Sequence, residues 1–159
     1  MKTSIYLFTL FLSFQFIVFG QSPASHLNTD KKNFAASGYD VTEYFNNKAI
    51  KGNKKIESVQ NGATYLFRTQ KNKLLFEKNP EKYTPQYGGW CAYAMGYTGE
   101  KVSVNPESCS IENGKLYLFY KTFFNDTKAK WQKNTKALKK EADHNWNAFI
   151  NTSNHENKN

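Results

Sequence analysis

Two Asn-Gly pairs, Asn61-Gly62 and Asn113-Gly114, do most to limit what this chain can become. Runs rich in β-branched and aromatic residues flank both, at 54–60 and 63–68 around the first and at 109–112 and 115–120 around the second. Asn-Gly accepts φ > 0 at both centres of a two-residue turn whose twist matches antiparallel strands, so each pair of runs is expected to close as a β-hairpin. Between them, Leu74, Leu75 and Phe76 within residues 70–78 fit a helix stopped at Asn79-Pro80, with a turn at 81–83. Residues 101–104 suit a further strand ended by Asn105-Pro106. Residues 125–150 hold neither Gly nor Pro, and Phe124, Trp131, Leu138, Ala142, Trp146 and Phe149 recur at intervals of three, four or seven. That spacing predicts an amphipathic C-terminal helix, broken near Asn134, with an aromatic stripe in the core. Asp40 and Glu43, ahead of Tyr44-Phe45, read as a capping box opening a short helix. The expected class is α+β: one small antiparallel sheet from two β-hairpins, with short helices and a long C-terminal amphipathic helix.

The chain opens with Met1-Lys2 and an apolar run from Ile5 to Phe19, closed by small Gly20. One basic residue before a short apolar stretch describes a secretory signal peptide at residues 1–20, with an uncleaved anchor as the other reading. A polar linker at 21–33, one domain at 34–150 and a disordered polar tail at 151–159 follow, and His26 in the linker is expected to be solvated. The protein is expected to be exported, periplasmic or secreted, with no membrane span after cleavage. The net charge is +9; Lys2 is the only charged residue of the leader, which leaves +8 (9 − 1). Outside the cytoplasm this charge does not point to nucleic acid, but to anionic surface material or to solubility, and the lysine runs at 51–55 and 128–140 read as solvated faces.

The chemistry concentrates between Tyr83 and Tyr97, where four tyrosines, Trp90, three glycines and Cys91 share fifteen residues. Gly88-Gly89 permits a turn that aims Cys91, as an inert core thiol, a soft nucleophile or a metal ligand. Met95, four residues on, offers a second soft sulfur suited to copper(I) or a haem iron, or else fills a gap among aromatics. The sequence therefore supports a small binding module holding copper or another soft metal at Cys91 and Met95. A second reading is a redox protein in which Cys91 is oxidised and resolved by Cys109, and a Cys91-Cys109 disulfide stays open. A third is a non-catalytic structural or interaction domain. Histidines occur only at positions 26, 144 and 155, with no Ser-His-Asp set, phosphate loop or HExxH, which argues against an enzyme. His144, without a second ligand at i+4, reads as structural or exposed. A metal ion or another exported protein is the expected partner.

Tyr65-Leu66-Phe67, Phe76-Glu77-Lys78-Asn79-Pro80-Glu81-Lys82-Tyr83 and Gln86-Tyr87-Gly88-Gly89-Trp90-Cys91-Ala92-Tyr93 resemble the YHS domain family, in its exported single-domain branch. The similarity extends from Gly38-Tyr39-Asp40 to Asn145-Trp146. The resemblance implies a small metal-binding module. Metal-binding members, however, carry Phe-Cys-x-x-x-Cys after the Tyr-Phe strand, where this chain has Arg68 and Asn72. Neither side chain replaces a thiolate for a soft metal, so the usual pair is lost. The exported branch has one cysteine after Tyr-Gly-Gly, here Cys91, which some members replace by selenocysteine. Relatives commonly carry tryptophan at the position of Cys109, which implies an unpaired Cys91.

Overall fold

A computed structural model describes residues 26–156, with side chains through Thr152. The leader expected at 1–20 and the start of the linker lie outside the described residues. The two hairpins form as expected: β1 (Asn53–Gln60) with β2 (Ala63–Phe67), and β3 (Asn105–Glu112) with β4 (Lys115–Phe119). Asn61 and Gly62 sit at φ 50 and 80, Asn113 and Gly114 at φ 50 and 71, the left-handed pair that a type I′ turn requires. Gln60 is thereby set opposite Ala63, and Glu112 opposite Lys115.

The hairpins do not share a sheet. Each is a separate two-stranded sheet. The free edge of β2 is met by Phe34, which bridges to Thr64, and that of β4 by Cys91, which bridges to Leu118. Chain segments thus occupy the edges through which the hairpins would have joined. The strand expected at 101–104 is also absent. Its Val102 carbonyl accepts from Cys91 N at 2.9 Å instead, and β3 starts at Asn105, taking Pro106 into an irregular stretch with no cross-strand partner before Cys109.

Helix α1 (Gln70–Lys78) has the expected bounds, and Thr69 Oγ1 caps it by accepting from Asn72 N at 3.1 Å. Pro80 then opens a one-turn helix, α2 (Pro80–Tyr83). After α3 (Ala92–Tyr97), the C-terminal helix is interrupted at Asn134 into α4 (Thr127–Lys133) and α5 (Thr135–Glu156). Helix α5 runs past Ile150 into the stretch expected to be a disordered tail. Phe124 does not join the buried stripe: it precedes the Asp126 N-cap, lies outside the helix and is exposed. Residues 26–33 are tied down and do not form a free linker. Asn28 N donates to Gly88 O at 2.8 Å, and Trp90 Nε1 donates to the His26 carbonyl at 2.6 Å.

Strand β4 is buried on both faces. Leu116 and Leu118 enter a cluster with Tyr65, Phe67, Phe76 and Tyr44, while Tyr117 and Phe119 enter a second with Trp131, Met95 and Ala142. Two further pairs join the helices. Gly96 lets α3 approach the Leu138 backbone of α5 more closely than a Cβ would allow, and Asn145 Nδ2 donates to Met95 O at 2.8 Å.

The two halves of the chain repeat one another at a spacing of 52 residues. Asn53, Ser58, Asn61, Gly62, Tyr65, Leu66 and Phe67 recur as Asn105, Ser110, Asn113, Gly114, Tyr117, Leu118 and Phe119, with the same register irregularity at the start of each hairpin. Ahead of each hairpin stands a run of three left-handed residues, Ala36-Ser37-Gly38 at φ 49, 53 and 78 and Tyr87-Gly88-Gly89 at φ 55, 60 and 83. A helix follows each hairpin.

Candidate functional site

Each half centres on the residue two positions beyond its left-handed run: Asp40 in the first and Cys91 in the second. The residue between them and the run, Tyr39 or Trp90, donates its N–H back into the turn, to Ala36 O and Tyr87 O, both at 3.0 Å. Asp40 and Cys91 in turn each donate a backbone N–H, to Ile50 O and Val102 O, both at 2.9 Å. Both side chains are aimed under the exit of the hairpin. Both are fully buried.

The Asp40 carboxylate is saturated. Oδ1 accepts from Thr42 N at 2.9 Å and from Thr42 Oγ1 at 2.7 Å; Oδ2 accepts from Arg68 N at 2.7 Å and from Asn72 Nδ2 at 2.8 Å. The same Asn72 amide donates to Glu43 Oε1 at 2.8 Å. Asp40 is therefore the pivot joining the Glu43–Asn46 turn, the end of β2 and the first turn of α1, and not one half of a reciprocal capping box.

Cys91 does the corresponding job with a thiol. Its Sγ accepts from Tyr120 N at 3.3 Å, the counterpart of Arg68 N, and lies 3.4 Å from Thr127 Oγ1. Thr127 Oγ1 donates to Tyr120 O at 2.6 Å, which leaves the S–H to donate to Thr127. The reachable thiol expected from the glycine turn is thus sealed. Gly88-Gly89 aims Cys91 inward because Trp146, His26 and Leu27 close over Gly88. Met95 is fully buried among Tyr87, Phe119, Trp131 and Ala142, where its thioether packs against rings. Cys109 is half-buried, and burial pushes its thiol up, an effect that Lys128 partly offsets.

Cys91 and Cys109 are both free. They flank Leu118 on opposite sides of β4. Two strand spacings put their Cα atoms roughly 10 Å apart, beyond the ~7 Å that a disulfide can span. At that separation no Cys91-Cys109 disulfide forms. His144 is exposed on α5. A half-exposed polar cluster does occur at the far end of the second core, where Tyr87 OH donates to Asp143 Oδ1 at 2.9 Å, and Lys139 Nζ donates to Asp143 Oδ2 at 2.7 Å. Burial, with Asp143 adding to it, pushes the Tyr87 hydroxyl up, so it acts there as a donor.

The family model of the YHS domain matches residues 41–87. This segment is a YHS domain. No curated protein and no solved structure matches the chain. The YHS domain family is associated with metal binding. The matched YHS segment holds the first hairpin with α1 and α2 and ends at Tyr87, four residues short of Cys91 (91 − 87). At the two cysteine positions of metal-binding YHS members, this chain uses Arg68 for its backbone N–H and Asn72 for its amide, both spent on Asp40. No lone pair of Asp40 is left for a cation. Among the described residues no group of three or more His, Cys, Asp or Glu side chains could hold a metal ion. Arg68, Asn72 and Asp40 therefore offer no donor set for the family's metal at the position of its cysteine pair. Sequence reasoning assigns Asp40 to a capping box and passes over Thr127, because the partners that define their roles lie 28 to 36 residues away. The 52-residue recurrence, ending in Tyr-Leu-Phe both times, marks the two hairpins and sets Tyr120 in the place of Arg68.

Proposed function

We propose that this protein is an exported, non-catalytic YHS-type interaction domain whose Cys91 is a structural pivot. The observation that carries the reading is the environment of Cys91 Sγ: fully buried, accepting from Tyr120 N and paired with Thr127 in the geometry that Asp40 has with Arg68 N and Asn72. A thiol in that position fills volume and ends two backbone paths; it is not offered to a partner. Export rests on the apolar run from Ile5 to Phe19 behind a single lysine.

A soft-metal site at Cys91 and Met95, copper(I) above all, is the second reading. It is favoured by the metal association of YHS domains and by the Met95 N to Cys91 O hydrogen bond of 3.0 Å, which sets the two sulfur-bearing residues one helical turn apart. Titration of the reduced protein with copper(I) against a chromophoric chelator separates the two. Under the first reading the native chain and Cys91→Ser compete equally weakly, while Cys91→Ser lowers stability by about 1–2 kcal/mol. Stoichiometric binding that Cys91→Ser and Met95→Leu both abolish would establish the second and overturn the first.

A further inference from the structure

Phe123 and Phe124 are 95% and 93% exposed, yet they do not belong to a frayed segment. They form the tip of a closed loop. Thr122 N donates to Asn125 O at 2.9 Å, Lys121 Nζ and Asp126 Oδ2 pair at 2.9 Å, and Thr127 N reaches back to Tyr120 O at 3.2 Å. The rings meet edge to face with centroids 4.9 Å apart. The first half of the chain shows that the fold has no need of this loop. Two residues, Arg68 and Thr69, carry it from β2 into α1, whereas seven, residues 120–126, lie between β4 and α4. The five extra residues (7 − 2) are the ones that bear the exposed pair.

We propose that the Phe123-Phe124 loop is a membrane-interface anchor that inserts into a bilayer containing anionic phospholipid. Charge selects this occupant: residues 113–140 hold eight lysines (115, 121, 128, 130, 133, 136, 139 and 140) and one acid, Asp126, which pairs with Lys121, while Asp143 just beyond them pairs with Lys139. Lys128 and Lys130 lie on the first turn of α4, directly after the loop, and Lys130 Nζ sits 5.9 Å over the Tyr93 ring, which stacks on the exposed Tyr97. Apolar rings followed by cations make the two-part signal that holds a protein on an anionic surface. Area argues against a protein partner. Two phenylalanines offer roughly 400 Å², about half of the ~800 Å² that one side of a stable protein interface buries. The closed loop also presents the rings without an ordering cost.

The test uses the chain from Gln21 onward, which lacks the apolar leader but keeps every residue of both hydrophobic clusters, since these lie between Leu27 and Phe149. Sedimentation with vesicles of equal parts phosphatidylglycerol and phosphatidylcholine should pull the protein down. Binding to pure phosphatidylcholine should be weaker by about tenfold or more. Phe123→Ser with Phe124→Ser should lose about tenfold or more of the mixed-vesicle binding, with an unchanged unfolding midpoint because both rings are already in water. Phe124→Trp should show indole emission quenched by acyl-chain bromine. Failure to sediment with the mixed vesicles, equal binding by the double serine variant, or a concentration-dependent dimer that the same double variant abolishes would each overturn the proposal.

Discussion

The Asn72 side-chain amide donates to Asp40 Oδ2 at 2.8 Å, across 32 residues of sequence, and bridges on to Glu43 at the same distance. This one amide ties the first turn of α1 to the segment ahead of β1, at a position where metal-binding YHS domains carry a cysteine. Four donors converge on the one carboxylate and hold the unit together.

Removing that carboxylate should therefore cost more than an ordinary surface change. Asp40→Ala leaves the Thr42 N–H and hydroxyl, the Arg68 N–H and one N–H of the Asn72 amide without their acceptor, for a loss of about 3 kcal/mol or more. Asn72→Leu should cost less, about 1–2 kcal/mol, since Asp40 keeps three donors. Urea unfolding of the three proteins checks the order. An Asp40→Ala loss below about 1 kcal/mol would deny Asp40 the role of pivot.

The two thiols should react in sequence. Cys109, half-buried and held toward the neutral thiol by burial, should alkylate at pH 8 more slowly than a free cysteine. Cys91 should stay unmodified until the protein unfolds, so that its labelling rate follows denaturant through the unfolding transition. Mass spectrometry of timed iodoacetamide reactions reads both rates. Labelling of Cys91 before Cys109 under native conditions would show that the Thr127 cover opens.

The base of the phenylalanine loop should carry a low-pH dependence. The hydrogen bond from Lys121, and the N–H groups of Ala129 and Lys128, hold the Asp126 carboxyl below its ordinary range. A group depressed in the folded state adds stability above its unfolded pKa of ~3.9 and loses it as pH falls through the folded value. Asp126→Ala should thus cost about 1 kcal/mol at pH 6, mostly through the N-cap, and less at pH values below the folded pKa, where the neutral carboxyl still accepts from Lys128 N and Ala129 N but no longer pairs with Lys121 as an ion. Lys121→Met should cost less than ~1 kcal/mol because the pair is half in water. Thermal unfolding of the native chain and both variants between pH 2 and 7 shows whether the differences close on the acid side. A difference that persists undiminished at pH 2 would deny the charged form of Asp126 any part in the effect.

Much of the secondary structure was legible because its causes are local. The φ > 0 preference of Asn61-Gly62 and Asn113-Gly114 needs no tertiary partner, nor does the stop at Asn79-Pro80 or the break at Asn134. The aromatic stripe from Trp131 to Phe149 was legible for the same reason, since helical spacing places those residues on one face. Phe124 was misread because spacing does not reveal that Asp126 caps the helix behind it.

The two hairpins, the helices that follow them and the absence of a cysteine pair at Arg68 and Asn72 could be read from the chain alone, because turn chemistry, periodicity and ligand identity belong to residues taken one stretch at a time. That the hairpins stay in separate sheets, that Cys91 is turned into the protein after Gly88-Gly89, and that Cys109 sits too far from it for a disulfide came from long-range packing. Those outcomes depend on which segment fills each strand edge and which side chain meets a buried donor, and such contacts join residues dozens of positions apart.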